Sequence, residues 1–161
     1  MAEILTRDEV VERAGELHLS GYNCAQAVAC ALAEALGLDI PEEQLFAATE
    51  GLGLGMGGML GTCGAISGAC VVAGLAGSSR NLEHPDSKKG TYAVCRELTQ
   101  RYEDAVGSVT CGVIKGRTGG PVLLPCHPCV LTGAGIGYDV LVDNARFLAG
   151  AGTDLFRLAY D

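Results

Sequence analysis

The first third of the chain places apolar residues at helical spacing, interrupted by residues that start or stop helices. Thr6 followed by Glu9 is the capping-box pattern of a helix start, and apolar residues then recur at intervals of three and four. Asn23 is a typical N-cap, and the apolar stripe that follows it up to Gly37 predicts a second helix. Cys24 therefore lies in the first turn of that second helix.

A glycine-rich segment separates the next two predicted helices. Pro41 suits the first turn of a third helix, which leads into glycines spread over residues 51–61. Cys63 then opens a helix of small residues, whose short side chains permit close approach by neighbouring helices. We predict that this fourth helix is the buried centre of the fold.

The second half of the chain begins with a polar segment, followed by a long stretch with apolar residues at helical spacing. Residues 78–89 are polar and contain a His-Pro pair, which predicts a surface loop. Apolar residues at helical spacing over about 91–106 predict a fifth helix, which Gly107 ends.

The remaining segment is less regular until its last part. Cys111 lies in a brief turn, and residues 115–125 are rich in glycine and proline. A last long helix is predicted to start near Pro128 and Cys129, with a short terminal helix over 154–160. No alternation is long enough for a sheet. The sequence thus predicts an all-α fold, a compact bundle of about five to six helices, as a single domain over residues 1–161.

Composition and charge narrow the classes of partner and location. Hydrophobic residues make up 48% of the 161 residues, enough for one core, and the net charge is −8. An acidic chain is poorly suited to a phosphate backbone, so we expect no nucleic-acid partner. The N-terminal residues 1–16 lack an apolar leader, which favours a cytoplasmic location. The uncharged stretch 51–79 is too rich in glycine for a membrane-spanning helix, so no membrane association is expected.

Eight cysteines are unusual for a chain of this length. Because the cytosol keeps thiols reduced, we interpret them as metal ligands, redox thiols or buried packing residues rather than a disulfide framework. Cys30, Cys70 and Cys95 lie within predicted helices among apolar neighbours, which favours packing. Cys70 follows Cys63 by two helical turns, so it could instead support a site there.

Cys24, Cys63 and Cys129 each fall in or beside the first turn of a predicted helix. Free N–H groups and the helix dipole at that position lower a thiol pKa and stabilise thiolate. Cys111 shares this property more weakly, because it follows Gly107 in a connection. These four cysteines are the candidate metal ligands, and the alternative is that they are ordinary buried thiols.

Two local motifs add candidate residues. Gly55, Gly57 and Gly58 offer backbone N–H groups that could approach a cofactor. The alternative is that the glycine segment is only a long turn between two helices. Cys126 and Cys129 form a CxxC motif, a candidate catalytic dithiol or two metal ligands. A thioredoxin-like interpretation requires a βαβ setting that the sequence does not show.

Several of these segments together resemble a known family. They are the residues 23–28 (Asn-Cys-Ala-Gln-Ala-Val), Met-Gly-Gly at 56–58, Cys-Gly-Ala-Ile-Ser-Gly at 63–68, Cys111 and a late cysteine. The chain is similar to the redox-active proteins named for their motif, C-GCAxxG-C-C. The resemblance implies a helical domain with a redox role, in which Cys24, Cys63, Cys111 and one late cysteine form the shared set.

The sequence departs from that family pattern in two places. Its central motif reads Cys-Gly-Ala rather than Gly-Cys-Ala, and the late cysteine is doubled as Cys126 and Cys129. Cys129 is the preferred counterpart of the family's last cysteine, because a helix follows it directly.

Three functions remain open from the sequence. The first is electron transfer by an iron–sulfur cluster or another metal held by Cys24, Cys63, Cys111 and Cys129. The second is a metal-independent thiol–disulfide oxidoreductase that uses Cys126 with Cys129, or Cys24 with Cys63. The third is a zinc-stapled helical binding module without turnover. A redox partner protein or a small-molecule electron donor or acceptor is expected, and the small-residue helices could also pack across a homodimer.

Overall fold

The computed structural model describes residues 5–151, with side chains described for residues 5–144. Within this range it contains seven α-helices and no strand, which confirms the all-α prediction. The helices are α1 (Arg7–Leu19), α2 (Cys24–Ala35), α3 (Glu42–Glu50), α4 (Gly64–Gly77), α5 (Lys88–Val106), α6 (Cys111–Ile114) and α7 (Cys126–Ala151). The terminal helix predicted over 154–160 lies outside the described residues.

The starts of α1 and α2 follow the predicted caps. The Thr6 hydroxyl accepts a hydrogen bond from the Glu9 N–H at 3.3 Å, and the Glu9 carboxylate accepts one from the Thr6 N–H at 2.6 Å. Asn23 and Gln26 make the equivalent reciprocal pair, each at 2.9 Å. These side chains pair amides that a helix start leaves without a partner, so Cys24 is fixed as the first residue of α2.

Small residues bring the central helices close together. Helix α2 packs against α1, α3, α4 and α7, and every residue from Ala25 to Ala33 is buried. A methyl group at Gly68 of α4 would lie 2.5 Å from the carbonyl oxygen of Ala25, which is backbone contact. Helix α4 is central as predicted, since it also packs on α5 and α7, but α2 is the more completely buried helix.

The glycine-rich segment contains a tight turn of left-handed backbone. Leu54, Gly55, Met56 and Gly57 have consecutive φ values of 54°, 56°, 62° and 85°. Left-handed conformation costs an L-residue about 1–2 kcal/mol, so Leu54 and Met56 are strained. Hydrogen bonds hold the segment, since the Gly61 N–H donates to the Gly55 carbonyl at 3.0 Å. We refer to residues 54–57 as the left-handed turn.

Three boundaries differ from the sequence prediction. Helix α5 begins at Lys88 rather than near residue 91, and Cys111 opens the short helix α6 rather than a turn. Helix α7 begins at Cys126, before Pro128, because proline is tolerated in the first turn, where its missing N–H would have no partner. Across the residues that are described, no helix combines the length and apolar character needed to span a membrane.

Candidate functional site

Five cysteines from four separate segments line one cavity of about 190 Å³. A water molecule takes up about 30 Å³ in the liquid, so the cavity can hold a group of several atoms. The cysteines are Cys24, Cys63, Cys111, Cys126 and Cys129, and the other lining residues are His18, Asn23, Leu54, Ile114 and Lys115. We call this space the five-cysteine cavity.

The cavity lies where the N-termini of four helices meet. Cys24, Cys111 and Cys126 are the first residues of α2, α6 and α7, and Cys63 is the N-cap of α4. Cys129 is one turn into α7, with its N–H donating to the Pro125 carbonyl at 3.1 Å. The positive ends of these helices point toward the cavity, which favours thiolate or another negative group inside it.

Cys24 is held between the left-handed turn and the first turn of α4. The backbone N–H groups of Leu54 and Ala25 donate to its sulfur, although burial is the larger influence and raises its thiol pKa overall. A methyl group at Gly64 would collide with the Cys24 sulfur. Glycine at position 64 is therefore required for Cys24 to sit against α4, and the strained Leu54 supplies one of its two backbone hydrogen bonds.

Cys63 and Cys129 form a hydrogen-bonded thiol pair. Their hydrogen bond, in which Cys63 donates, raises the pKa of Cys63 and lowers that of Cys129 to about 7. The Tyr102 hydroxyl, fully buried, lies 3.2 Å from the Cys63 sulfur and also hydrogen-bonds to Cys129, which lowers the pKa of Cys129 further. One proton shared in this way favours a thiol at Cys63 and a thiolate at Cys129 near neutral pH.

Cys111 is fixed by the glycine-rich segment. Its backbone N–H donates to the Gly61 carbonyl at 3.0 Å, and a methyl group at Gly55 would lie 2.5 Å from its Cβ. Burial raises the pKa of the Cys111 thiol, while the charge of Lys115 acts in the opposite direction. The left-handed turn thus places a residue without a side chain where Cys111 enters the cavity.

Basic side chains lie on the side of the cavity formed by α6 and α7. The Lys115 ammonium donates a hydrogen bond to the sulfur of Cys126, and this contact raises the lysine pKa. His18 from α1 and His127 from α7 are stacked, with their Nδ1 atoms 2.8 Å apart. Burial, followed by the nearby His127 and Lys115, lowers the pKa of His18.

The structure brings together all the predicted cysteine positions but not all the predicted glycines. Cys24, Cys63, Cys111 and Cys129 share the cavity, and Cys126 joins them. Gly55 is buried against Cys111, whereas Gly57 and Gly58 are exposed, and a Cβ at either would have no neighbour within 4 Å. The two cysteines of the CxxC motif contact different partners, because Cys129 pairs with Cys63 and Cys126 with Lys115.

Sequence reasoning did not identify Lys115, Tyr102, His18 or Leu54 as site residues. Lys115 follows Cys111 by four residues, the spacing of neighbours on one helix face, so it could have been found if α6 had been predicted. Tyr102 falls within the predicted fifth helix, where its spacing indicates only an apolar face. His18 and Leu54 reach the cavity through tertiary packing, for which the sequence contains no local signal.

The cysteines surround the cavity rather than one point. Within residues 5–144, no three His, Cys, Asp or Glu side chains are grouped closely enough to hold a single metal ion. The donor set consists of sulfur, with backbone N–H groups aimed at the sulfurs. Sulfurs at separate points around a cavity can each bind a different atom of a bound group.

Comparison with known proteins identifies one family. The family model described as "Putative redox-active protein (C_GCAxxG_C_C)" matches residues 22–137, a segment that contains all eight cysteines. No curated protein and no solved structure matches the chain.

Proposed function

The chain belongs to the C_GCAxxG_C_C family, and we propose that it is a redox protein that carries electrons at an iron–sulfur cluster held in the five-cysteine cavity. The observation that carries the proposal is the convergence of Cys24, Cys63, Cys111 and Cys129 on that cavity. Four cysteine thiolates are the common ligand set of such clusters, which would supply one-electron transfer when bound.

The surroundings of the cysteines support ligation by thiolate. Burial raises the pKa of Cys24 and Cys111, so these thiols are inert at neutral pH unless a metal displaces their protons. The N–H groups of Leu54 and Ala25 would donate to the Cys24 sulfur in the ligated state, and hydrogen bonds to ligating sulfur raise a reduction potential. Lys115 would offset part of the negative charge of the thiolates.

Cys129 is the proposed fourth ligand, and Cys126 is not. Cys129 is buried and in contact with Cys63, whereas Cys126 is half-buried and hydrogen-bonded to the Lys115 ammonium. A cysteine already paired with a lysine is better suited to modulate the charge of the site than to ligate a metal.

The test is anaerobic purification and reconstitution with iron and sulfide, followed by iron and sulfide analysis and an absorption spectrum. We expect Cys24→Ser, Cys63→Ser, Cys111→Ser and Cys129→Ser each to lower bound iron at least tenfold. Cys126→Ser and the control Cys30→Ala, a buried cysteine of α2 outside the cavity, should retain it. Protein that stays colourless and free of iron with all thiols titratable contradicts the proposal, and stoichiometric zinc instead would favour the zinc-stapled module.

A second candidate is metal-independent thiol–disulfide exchange by Cys63 and Cys129. It is favoured by their hydrogen bond and by the Cys129 pKa of about 7. The Cys129 thiolate would attack a substrate disulfide and expel one thiolate, and Cys63, after losing its proton, would attack Cys129 and expel the second. The substrate disulfide is reduced by two electrons as the Cys63–Cys129 disulfide forms.

The two candidates differ in what the iron-free protein does. If disulfide exchange is the function, the metal-free protein should reduce a small-molecule disulfide, and Cys63→Ser should trap the mixed disulfide on Cys129. Cys126→Ser should still form that adduct, because the hydrogen-bond partner of Cys126 is Lys115. Absence of a trapped adduct on Cys129 would exclude this candidate.

A further inference from the structure

Helices α4 and α5 are joined by two matched side-chain contacts. Cys63 contacts Tyr102 at the cavity, with 3.2 Å between sulfur and oxygen. Seven residues further along α4, Cys70 contacts Cys95, which precedes Tyr102 by the same interval on α5. Equal intervals in opposite directions are what two antiparallel helices produce, so the contacts lie about 10 Å apart, two helical turns along one interface.

The second contact joins the side chain of Cys95 to Cys70 across the interface. The Cys95 thiol donates to the carbonyl oxygen of Cys70 at 3.9 Å, so its side chain reaches the backbone of α4. Nearby, a methyl group at Gly77 would lie 3.2 Å from the Thr91 hydroxyl oxygen, which shows that the helices remain close beyond this point. Adjacent thiols on closely packed helices meet the first requirement for a disulfide.

We propose that Cys70 and Cys95 form a reversible disulfide that cross-links α4 to α5, a second redox site separate from the five-cysteine cavity. Neither residue lines that cavity. The inference rests on the contact between α4 and α5 and is independent of whether the cavity binds a metal.

The oxidant is a small-molecule disulfide. The Cys95 thiolate attacks one of its sulfur atoms, which forms a mixed disulfide and expels the first small thiolate. Cys70 loses its proton to solvent and attacks the Cys95 sulfur, which forms the Cys70–Cys95 bond and expels the second small thiolate. Two protein thiols are oxidised by two electrons in total, and one small disulfide is reduced to two thiols.

The surroundings of the pair assign these roles. The hydrogen bond between the thiols lowers the pKa of Cys95 and raises that of Cys70. The thiolate is the attacking species, so Cys95 is the first nucleophile and Cys70 the resolving thiol. Both side chains are half-buried, which leaves each partly accessible to a small reagent. By contrast Cys30 is buried and its pKa is raised to about 11, so it does not compete.

The experiment equilibrates the reduced full-length protein with glutathione disulfide, blocks remaining thiols with N-ethylmaleimide and digests the protein with trypsin. No lysine or arginine occurs between Arg13 and Arg80, so Cys70 lies in fragment 14–80 and Cys95 in fragment 90–96. We expect these two fragments joined by a disulfide that dithiothreitol removes.

Variants identify the partner, because fragment 14–80 also contains Cys24, Cys30 and Cys63. The joined fragments should disappear in Cys70→Ser and Cys95→Ser and persist in Cys24→Ser, Cys30→Ala and Cys63→Ser. In Cys70→Ser, Cys95 should instead carry glutathione. Two results in the wild-type protein would contradict the proposal: Cys95 that is fully alkylated by maleimide, or Cys95 that carries glutathione with no cross-link. A cross-link that survives in Cys70→Ser would also contradict it.

Discussion

The two ends of the α4–α5 interface hold cysteines in contrasting environments. At the cavity, Cys63 faces an open space shared with thiols from three other helix starts. Two turns away, Cys70 and Cys95 face each other, and neither borders that space. The same residue type on the same pair of helices thus suits ligation of a bound group at one end and a direct sulfur–sulfur bond at the other.

Backbone position explains much of this contrast. Residues at a helix start have N–H groups without an intrahelical partner, and these can donate to a thiolate. Cys70 and Cys95 lie inside α4 and α5, where backbone N–H groups are already used within the helix. Backbone N–H groups therefore offset part of the burial of Cys24 at the cavity, and none is free to do so for Cys70 or Cys95. A neighbouring thiol lowers the pKa at both ends, at Cys129 and at Cys95.

The largest expected effect concerns the left-handed turn that holds the cavity end. In Gly55→Ala the new methyl group would meet Cys111 Cβ at 2.5 Å, and alanine would have to keep a φ of 56°. Left-handed strain of about 1–2 kcal/mol and overpacking of about 1–3 kcal/mol predict a loss of about 4 kcal/mol in the free energy of unfolding. Urea unfolding measures it, and bound iron should fall as Cys111 is displaced.

Two neighbouring glycines serve as matched controls. Gly57→Ala also requires positive φ, at 85°, but meets no atom within 4 Å, so a loss of about 1 kcal/mol is expected from strain alone. Gly58→Ala has neither problem and should change stability by less than about 1 kcal/mol. Equal losses at Gly55 and Gly57 would show that contact with Cys111 is unimportant. A loss of bound iron in Gly57→Ala or Gly58→Ala would instead support the sequence-based prediction that these glycines contact a cofactor.

The next effect concerns the other end of the interface. A disulfide between Cys70 and Cys95 closes a loop of about 25 residues, which stabilises by about 3 kcal/mol in the chain-entropy account. Oxidised protein should therefore unfold at higher urea concentration than reduced protein, with Cys70→Ser showing no difference between the two conditions. An oxidised protein that contains the cross-link but is no more stable would mean that the bond strains the native helices.

The helices and the shared location of the cysteines were predictable because their signals are local. Caps at Thr6 and Asn23, and Cys24 and Cys63 at the starts of helices, follow from neighbouring residues in the sequence. Because helix starts can meet at one end of a bundle, cysteines at helix starts can meet as well. The family match over residues 22–137 spans these cysteines.

The thiol pairs could not be predicted from the sequence, because they depend on contacts between residues that are far apart in the chain. The Cys63–Cys129 and Cys70–Cys95 pairs join residues that are 66 and 25 positions apart, as their numbers show. The CxxC spacing suggested that Cys126 and Cys129 act together, but the start of α7 directs them to different partners. The sequence also did not predict the left-handed turn. Leu54 and Met56 adopt positive φ values, which leucine and methionine rarely do.

A third, smaller effect is the pH dependence of stability in the reduced, metal-free protein. Hydrogen bonding from Cys63 holds the pKa of Cys129 at about 7 in the folded state, against about 8.5 for an ordinary thiol. Between these values the unfolded state binds more protons, so stability rises with pH there and is lost as the pH falls through 7. One proton limits this slope to about 1.4 kcal/mol per pH unit.

Above about pH 8.5 the trend should reverse. Burial raises the pKa of Cys24 and Cys111, and the hydrogen bond to Cys129 raises that of Cys63, so there the folded state binds more protons than the unfolded state. Unfolding measured from pH 6 to 10 should show a maximum, and Cys129→Ser should remove the rise on its acid side. A flat profile in the wild-type protein between pH 7 and 8.5 would mean that Cys129 is not a thiolate in the folded state.

The smallest effect tests whether Tyr102 acts on the cavity pair alone. Tyr102→Phe removes a buried hydroxyl that lies 3.2 Å from the Cys63 sulfur and hydrogen-bonds to Cys129, so stability should fall by about 1 kcal/mol. The pKa of Cys129 should rise, which shifts the midpoint of its alkylation by iodoacetamide to higher pH. Tyr92→Phe is the control, because Tyr92 lies on the same helix but is exposed.

If the two ends of the interface are chemically separate, Tyr102→Phe should shift that midpoint without changing the yield of the Cys70–Cys95 disulfide. The hydroxyl hydrogen-bonds to the cavity pair, and the second pair lies about 10 Å away along α4 and α5. A changed disulfide yield would show that the spacing of α4 and α5 is set jointly at both contacts. Oxidation at one end of the interface would then alter the thiols at the other.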